Sequence, residues 1–190
     1  MQIHFHKNRL LKWLGLGILG TLLPTLALVG CSMLYFGPNY PKVKYYYWKG
    51  TWAQQQGDLK AAIIAYNSAI HYDTTHVVTY ISRGSAYLGL KNYKAAIANY
   101  TKAIALSPSR ADVYAYRGRA YYEIQQVKAS LADYDKAIAL DTTFGYAFAN
   151  RGLLKYTLLH DFDGGCSDLY QAASLGDATA KQHLKEGACE

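Results

Sequence analysis

The sequence predicts an all-α protein, an α-solenoid of four helix-turn-helix repeats that ends in a C-terminal capping helix. The first observation is a spacing of 34 residues between four glycines, Gly50, Gly84, Gly118 and Gly152, and a period of this length is typical of stacked helical repeats. The second is the recurrence of large apolar side chains at helical spacing in residues 93–104, which indicates an amphipathic helix. Such a unit cannot bury its apolar face alone, so we expect stability to come from stacking of neighbouring repeats.

The start of the chain is organised like an export signal. Lys7, Arg9 and Lys12 precede residues 13–30, which contain no charged side chain. A cationic segment followed by an apolar one is typical of a signal peptide. Because cations resist crossing a membrane, we expect the residues that follow to be exported.

Cys31 ends this apolar segment in the tetrapeptide LVGC, residues 28–31, which resembles the lipobox of bacterial lipoproteins. The resemblance implies lipid transfer to the Cys31 thiol and cleavage of the chain before it. Residues 1–30 are then a signal peptide and residues 31–42 a tether to a membrane.

An uncleaved signal anchor is the alternative. Apolar character continues past the cysteine to about Phe36, and a helix of residues 13–36 is long enough to span a bilayer. Both alternatives place the remainder at the periplasmic face of a bacterial envelope membrane. Ser32 after the cysteine favours the outer membrane if Cys31 is lipidated.

The repeated region begins after a short linker. Residues 83–109, RGSAYLGLKNYKAAIANYTKAIALSPS, resemble the consensus of tetratricopeptide (TPR) repeats. The resemblance covers residues 43–176 and implies four repeats of two antiparallel helices. Their predicted bounds are 43–76, 77–110, 111–144 and 145–176, with a capping helix and tail at 177–190. In the fourth repeat the small residues Gly165 and Ala172 come one residue later than the 34-residue period predicts. Terminal repeats are often atypical.

The resemblance also implies a concave groove, since the first helix of each TPR repeat presents fixed positions to it. A groove rich in tyrosine with one arginine favours an extended peptide or an amphipathic helix as the partner. The alternative is a small-ligand or glycan-binding module that uses the same tyrosines. The predicted groove residues are Tyr47, Ser85, Tyr116, Arg119, Tyr122, Tyr146, Asn150 and Tyr156.

A second set of cations recurs immediately before the landmark glycines, at Arg83, Arg117 and Arg151. We expect them to pair with carboxylates such as those of Asp133, Asp135 and Asp141 and to stabilise the stack. The alternative is that they bind an acidic partner.

No catalytic constellation is present in the sequence. It contains no phosphate-binding loop, no Gly-x-Ser-x-Gly and no zinc-ligand spacing. His71 and His76 lie near a predicted helix end, where histidines are common, so no metal site is predicted. The formal net charge is +7, but the Lys and Arg residues are dispersed, which does not favour nucleic acid. The sequence therefore predicts a non-catalytic protein without a cofactor.

Cys166 and Cys189 form a predicted disulfide. The second helix of repeat four and the capping helix that turns back are of similar length, so Cys189 can return to the level of Cys166. An exported chain meets an oxidising compartment, where such a pair oxidises. The bond would attach the tail to the last repeat. The alternative is a small buried Cys166 and a free Cys189 in a frayed tail.

Aromatic residues and lysines alternate where the repeats begin, in residues 42–49, KVKYYYWK. Tyr, Trp and Lys favour the headgroup region of a bilayer. Because few residues separate this segment from Cys31, the first repeat is expected to lie against the membrane.

Overall fold

The computed structural model describes residues 39–189, and within them nine α-helices follow one another. A π-helical turn, Lys155–Leu159, directly follows the seventh helix. The helices are α1 Tyr40–Gln55, α2 Leu59–Tyr72, α3 Val77–Gly89, α4 Tyr93–Leu106, α5 Ala111–Glu123, α6 Val127–Leu140, α7 Gly145–Leu154, α8 Phe162–Ser174 and α9 Ala178–Lys185. The described residues thus contain helices and no strand, as the sequence predicts.

The helices pack as four successive pairs. α1 packs on α2, α3 on α4, α5 on α6 and α7 on α8, and each second helix also packs on the first helix of the next pair. The first helices contact one another as well, α1 with α3, α3 with α5 and α5 with α7, and they form one continuous layer. α9 packs on α8 and covers the end of the stack, so the predicted solenoid with a capping helix is confirmed.

Three glycines of the 34-residue series allow the two helices of a pair to approach closely. A Cβ atom added at Gly84 would lie 2.7 Å from Cε1 of Tyr100, closer than carbon atoms approach one another. The tyrosine rings fill the space that the missing side chain leaves, and Tyr66, Tyr100 and Tyr134 are essentially inaccessible. The pairs in contact are Gly50 with Tyr66, Gly84 with Tyr100, and Gly118 with Tyr134.

The turn inside each pair has one residue in the left-handed conformation. In the first pair it is Gly57, with φ 81°, a conformation that glycine adopts without steric cost. The other pairs use Lys91, Gln125 and His160, with φ of 58°, 57° and 53°. In three of the four pairs the next helix then begins with a side-chain cap, as where Asn92 accepts a hydrogen bond from the amide of Ala95.

The π-helical turn explains the late landmarks of the fourth repeat. Residues 155–159 extend α7 by a wider turn that accommodates one additional residue. Gly152 and Gly165 then cross at short range, since a Cβ atom at either would lie 2.9 Å from the carbonyl oxygen of the other. Leu169 takes the place of the tyrosine of the earlier repeats in this pair and is fully buried.

The N-terminal end differs from the predicted bounds in one respect. α1 begins at Tyr40, three residues before the predicted start of the first repeat at 43, so the last residues of the predicted tether are helical. Cys31 and the predicted signal segment, residues 1–30, lie outside the described residues. Among residues 39–189, no helix has the length and apolar character to cross a membrane.

Candidate functional site

The predicted groove residues lie along the layer of first helices. Tyr116, Arg119 and Tyr122 are on α5, and Tyr146 and Asn150 are on α7. Tyr47 and Ser85 lie on α1 and α3, and Tyr156 lies in the π-helical turn after α7. They therefore follow one surface from the first repeat to the fourth.

Three tyrosines, from α4, α5 and α7, pack together in the middle of this surface. The ring centroids of Tyr100 and Tyr116 are 6.0 Å apart, and those of Tyr116 and Tyr146 are 5.8 Å apart with the rings nearly perpendicular. Tyr100 is fully buried, whereas Tyr116 and Tyr146 are half-buried. The inner ring supports two outer rings that remain accessible, so this part of the surface is rigid and aromatic.

Arg119 supplies a cation beside these rings. Its side chain is 48% exposed, and its Nε is 4.0 Å from Oε1 of Glu123 one turn along α5. A hydrogen bond with Tyr146 raises the pKa of the Arg119 guanidinium. Tyr146 thus orients a guanidinium whose remaining donors are accessible to a partner.

Tyr47, Tyr156 and Asn150 do not extend this cluster of rings. Tyr47 packs edge-on to His76 with ring centroids 5.6 Å apart, and Tyr156 packs in the same way on Phe162 at 5.0 Å. The Asn150 side-chain amide donates to the carbonyl of Tyr146 on its own helix, at 2.7 Å. These side chains therefore pack on their own neighbours, away from Tyr116 and Arg119.

Tyr122 on α5 contacts the π-helical turn that follows α7. Its hydroxyl is 3.3 Å from Oγ1 of Thr157, which belongs to the π-helical turn. The contact links α5 to the π-helical turn, the segment that accommodates the additional residue of the fourth repeat. The π-helical turn therefore contributes to the groove as well as to the packing of α7 on α8.

Burial keeps the hydroxyls of Tyr66, Tyr100 and Tyr134 protonated. Removal from water raises the pKa of Tyr66 and of Tyr100 to about 12 and raises that of Tyr134 further. The Tyr66 hydroxyl donates to Oε1 of Gln54 at 3.0 Å, and the Tyr100 hydroxyl is 3.2 Å from that of Ser85. Ser85 thus contacts the buried Tyr100, the inner ring of the cluster.

A polar recess of about 340 Å³ lies between the first and second repeats. Thr51 and Gln54 follow the predicted groove residue Tyr47 by four and seven residues, so they continue its face of α1. Gln55 and Ser82 were not predicted to be groove residues. The recess is lined by Thr51, Gln54, Gln55, Tyr66 and Ser82.

The three arginines before the landmark glycines form a ladder through the stack, which confirms their structural role. Each Nε donates to the second helix of its own pair, and each Nη1 donates to the second helix of the preceding pair. Within a pair the contacts are Arg83 to Asn99 at 2.7 Å, Arg117 to Asp133 at 2.8 Å and Arg151 to Asp168 at 2.8 Å. Between pairs they are Arg83 to Asn67 at 2.7 Å, Arg117 to Thr101 at 3.0 Å and Arg151 to Asp135 at 2.7 Å.

The carboxylate partners were predicted in part. Asp133 and Asp135 accept from the ladder, whereas Asp141 does not and instead accepts from the amide and hydroxyl of Thr143. Asp168 is an acceptor that sequence analysis did not name. It occupies the Asp133 position once the additional residue of the fourth repeat is counted, and Lys155 also pairs with it, at 2.8 Å.

Cys166 and Cys189 are joined by a disulfide in the structure. The Cα atoms are 5.7 Å apart, and the bond links α8 to the tail after α9. Cys189 also packs against the apolar cluster that contains Leu169, Ala172 and Ala180. The bond therefore holds the cap over the last repeat.

No three His, Cys, Asp or Glu side chains among residues 39–189 are grouped as metal ligands would be. His76, one of the two histidines considered above, has its Nδ1 atom 2.6 Å from Oγ1 of Thr79. Thr79 is fully buried at the start of α3. The contact identifies His76 as part of a helix start.

Comparison with protein families identifies the repeats. Residues 43–76 match a family described as tetratricopeptide repeat, and residues 84–125 match one described as TPR repeat. No curated protein sequence matches the chain. The matched residues include most of α1 and the whole of α2, α4 and α5, and the described part of the chain has the fold of a TPR solenoid.

Solved structures share this architecture. A crystal structure of the MamA protein is 24% identical, with a TM-score of 0.66, and covers 77% of this chain and 84% of MamA. A TPR protein of Thermus thermophilus is 19% identical with the same TM-score of 0.66, covering 77% of this chain and 84% of that one. The first TPR domain of Spaghetti (RPAP3), bound to the HSP90 peptide SRMEEVD, is 26% identical with a TM-score of 0.61, covering 63% of this chain and 94% of that one.

Proposed function

We propose that this protein is a non-catalytic adaptor, exported and tethered to a bacterial envelope membrane, that binds a protein partner in its concave groove. The observation that carries the proposal is the cluster on α5 and α7, where Arg119 lies beside the half-buried rings of Tyr116 and Tyr146. The partner is a peptide or an amphipathic helix that places apolar side chains on the rings and an acidic group at Arg119.

The chemistry of the groove supports a protein partner. Tyrosine and arginine are enriched among the few residues that contribute most of the binding energy of protein interfaces. The rings of Tyr116 and Tyr146 are held by their neighbours before any partner arrives, so little ordering is required on binding. The solved RPAP3 domain is bound to a peptide that carries acidic residues, which supports the same mode of use here.

Sequence supports the tether. The cations of residues 7–12, the uncharged segment 13–30 and the LVGC tetrapeptide are arranged as in bacterial lipoproteins. The intact mass of the protein extracted from membranes tests this part. A mass that begins at Cys31 and includes acyl chains supports the lipid anchor, and the mass of the uncut chain supports a signal anchor that ends near Phe36. Recovery in the soluble fraction of the cell contradicts both.

Charge reversal in the groove tests the adaptor. Arg119→Glu replaces the exposed cation of the cluster by a carboxylate. Lys136→Glu makes the same change of charge at an exposed position on α6 and is the matched control. We expect one stoichiometric protein to co-purify from crosslinked cells with the native chain and with Lys136→Glu, and to be lost with Arg119→Glu. Equal recovery with both variants would contradict the proposal.

The same preparation addresses the glycan alternative. Retention of the protein on peptidoglycan that is lost with Arg119→Glu, without any stoichiometric protein, would favour the glycan-binding module and overturn the adaptor.

A further inference from the structure

The outer face of α1 carries large aromatic side chains that are exposed to solvent. Tyr45, Trp48 and Trp52 recur at helical spacing on one face and are 61%, 59% and 65% exposed. Together with Pro41, Lys44 and Lys49 they line a shallow surface groove of about 660 Å³. We call the three aromatic residues the α1 stripe.

The 34-residue register shows that two residues of the α1 stripe, Tyr45 and Trp52, occupy positions that are covered in the later repeats. The residues equivalent to Trp48 in those repeats are half-buried. The residues equivalent to Tyr45 and Trp52 in the second repeat are Thr79 and Ala86, both 0% exposed because α2 packs there. In the third repeat they are Val113 and Ala120, and in the fourth Ala147 and Leu154, all 0% exposed.

No described helix covers this position in the first repeat. A terminal repeat that faces water is expected to carry polar residues there, because solubility requires a polar outer face. The chain instead has two tryptophans and a tyrosine. Single exposed apolar residues are ordinary, but a contiguous aromatic stripe indicates a surface that another body covers.

The charges beside the α1 stripe indicate what that body is. Residues 39–57 contain three lysines and no acidic residue, and Lys44 and Lys49 border the stripe itself. Tryptophan and tyrosine prefer the boundary between hydrocarbon and headgroups, and lysine is attracted to anionic lipids. The uncharged segment 13–30 would satisfy the rings but not the lysines, whereas an anionic bilayer surface satisfies both.

The length of the chain before α1 permits this contact. Nine residue steps separate Cys31 from Tyr40, a span of about 30 Å at most when fully extended. A membrane tether at Cys31, or an anchor that ends near Phe36, therefore keeps α1 close to the bilayer. This step alone depends on the proposed function.

We infer that the α1 stripe with Lys44 and Lys49 is a docking surface for an anionic lipid bilayer, which holds the first repeat against the membrane. Docking there fixes the solenoid by its N-terminal end. The cluster of Tyr116, Tyr146 and Arg119 then remains open to a partner, since it lies on α5 and α7.

Tryptophan fluorescence of the full chain in vesicles tests the inference. The chain contains three tryptophans, so Trp13→Phe leaves Trp48 and Trp52 as the reporters. The protein is reconstituted in vesicles of phosphatidylcholine with and without phosphatidylglycerol, and in the same vesicles with brominated lipids. We expect brominated lipids to quench the emission when phosphatidylglycerol is present, and high salt to relieve the quenching.

Charge variants give the size of the effect. Each lysine near an anionic surface contributes about fivefold, so Lys44→Gln with Lys49→Gln is expected to lower the ratio of docked to undocked protein about 25-fold. Lys181→Gln with Lys185→Gln, on α9 at the other end of the stack, is the matched control and is expected to have no effect. In a chain that also carries Trp13→Phe, Trp48→Phe and Trp52→Phe, a tryptophan reporter placed by Tyr170→Trp, at a position that is 56% exposed, should not be quenched.

Emission that is insensitive to brominated lipids while the protein resists an alkaline wash would overturn the inference and leave the anchor intact. Protection of Trp48 and Trp52 from an aqueous quencher without lipid would also overturn it, because a second copy or residues 13–36 would then cover the stripe. Release of the protein by the alkaline wash contradicts the anchor instead, and the quenching by brominated lipids still decides the docking of α1.

Discussion

Removal of Arg117 is expected to destabilise the solenoid because it leaves a buried carboxylate without its partner. Arg117 donates to both oxygens of Asp133, each at 2.8 Å, and the Asp133 residue is 6% exposed. This contact raises the pKa of the Arg117 guanidinium. Breaking a buried ion pair from one side costs about 3–5 kcal/mol, so we expect Arg117→Ala to lower the free energy of unfolding by that amount.

The chain contains its own controls for this magnitude. Arg83 occupies the equivalent position but donates to the neutral amides of Asn99 and Asn67, and burial without a carboxylate lowers its pKa. We therefore expect Arg83→Ala to cost about 1–2 kcal/mol, the value of ordinary hydrogen bonds. Lys49 is exposed at the same register, and Lys49→Ala should change stability by less than about 0.5 kcal/mol.

Urea unfolding followed by circular dichroism measures these differences. Asp133→Asn converts the third repeat to the Arg83 arrangement and is expected to cost less than Arg117→Ala. Asp133→Ala combined with Arg117→Ala should be less damaging than Arg117→Ala alone, because no unpaired charge remains. Equal effects of Arg117→Ala, Arg83→Ala and Lys49→Ala would refute the reasoning.

Three further predictions concern packing, pH and the cap. Gly84→Ala should lower the free energy of unfolding by about 1–3 kcal/mol in urea, because its Cβ atom would meet the Tyr100 ring, and Tyr100→Leu in the same chain should recover part of the loss. Because burial raises the pKa of Tyr66 and Tyr100 from 10.0 to about 12, their contribution to stability is full below pH 10 and is lost as the pH rises towards 12; phenolate absorbance and circular dichroism should change together there. Cys166→Ser should cost about 3 kcal/mol and expose the amides of α9 to hydrogen exchange, whereas unchanged exchange would show that the disulfide does not hold the cap.

Much of the fold could be predicted from the sequence because the repeats are local. A 34-residue period fixes which residues face each other in every pair, so the glycine–tyrosine contacts and most of the arginine ladder could be predicted from one repeat and applied to the others. The late landmarks of the fourth repeat indicated an additional residue. The way the backbone accommodates it, by a π-helical turn that also brings Thr157 to Tyr122, depends on packing between α7 and α8 and could not be predicted.

The candidate site was less predictable for the same physical reason. Register gives the face of a helix on which a residue lies but not the neighbour on which its side chain rests. Tyr116, Tyr146 and Arg119 come together, whereas Tyr47 packs on His76 and Tyr156 on Phe162. Sequence likewise showed that aromatic residues are dense in α1, while only the structure shows which of them are left in water.

In-cell photo-crosslinking from the groove tests the adaptor function most directly. A photoreactive amino acid replaces the predicted groove residue Tyr122, which is half-buried on α5, or Ile64, which is 67% exposed on α2. The proposed function predicts that one protein is captured from position 122 and not from position 64, and that Arg119→Glu abolishes the capture. Capture of the same proteins from both positions, or none from position 122 in membranes that contain the protein, would contradict it.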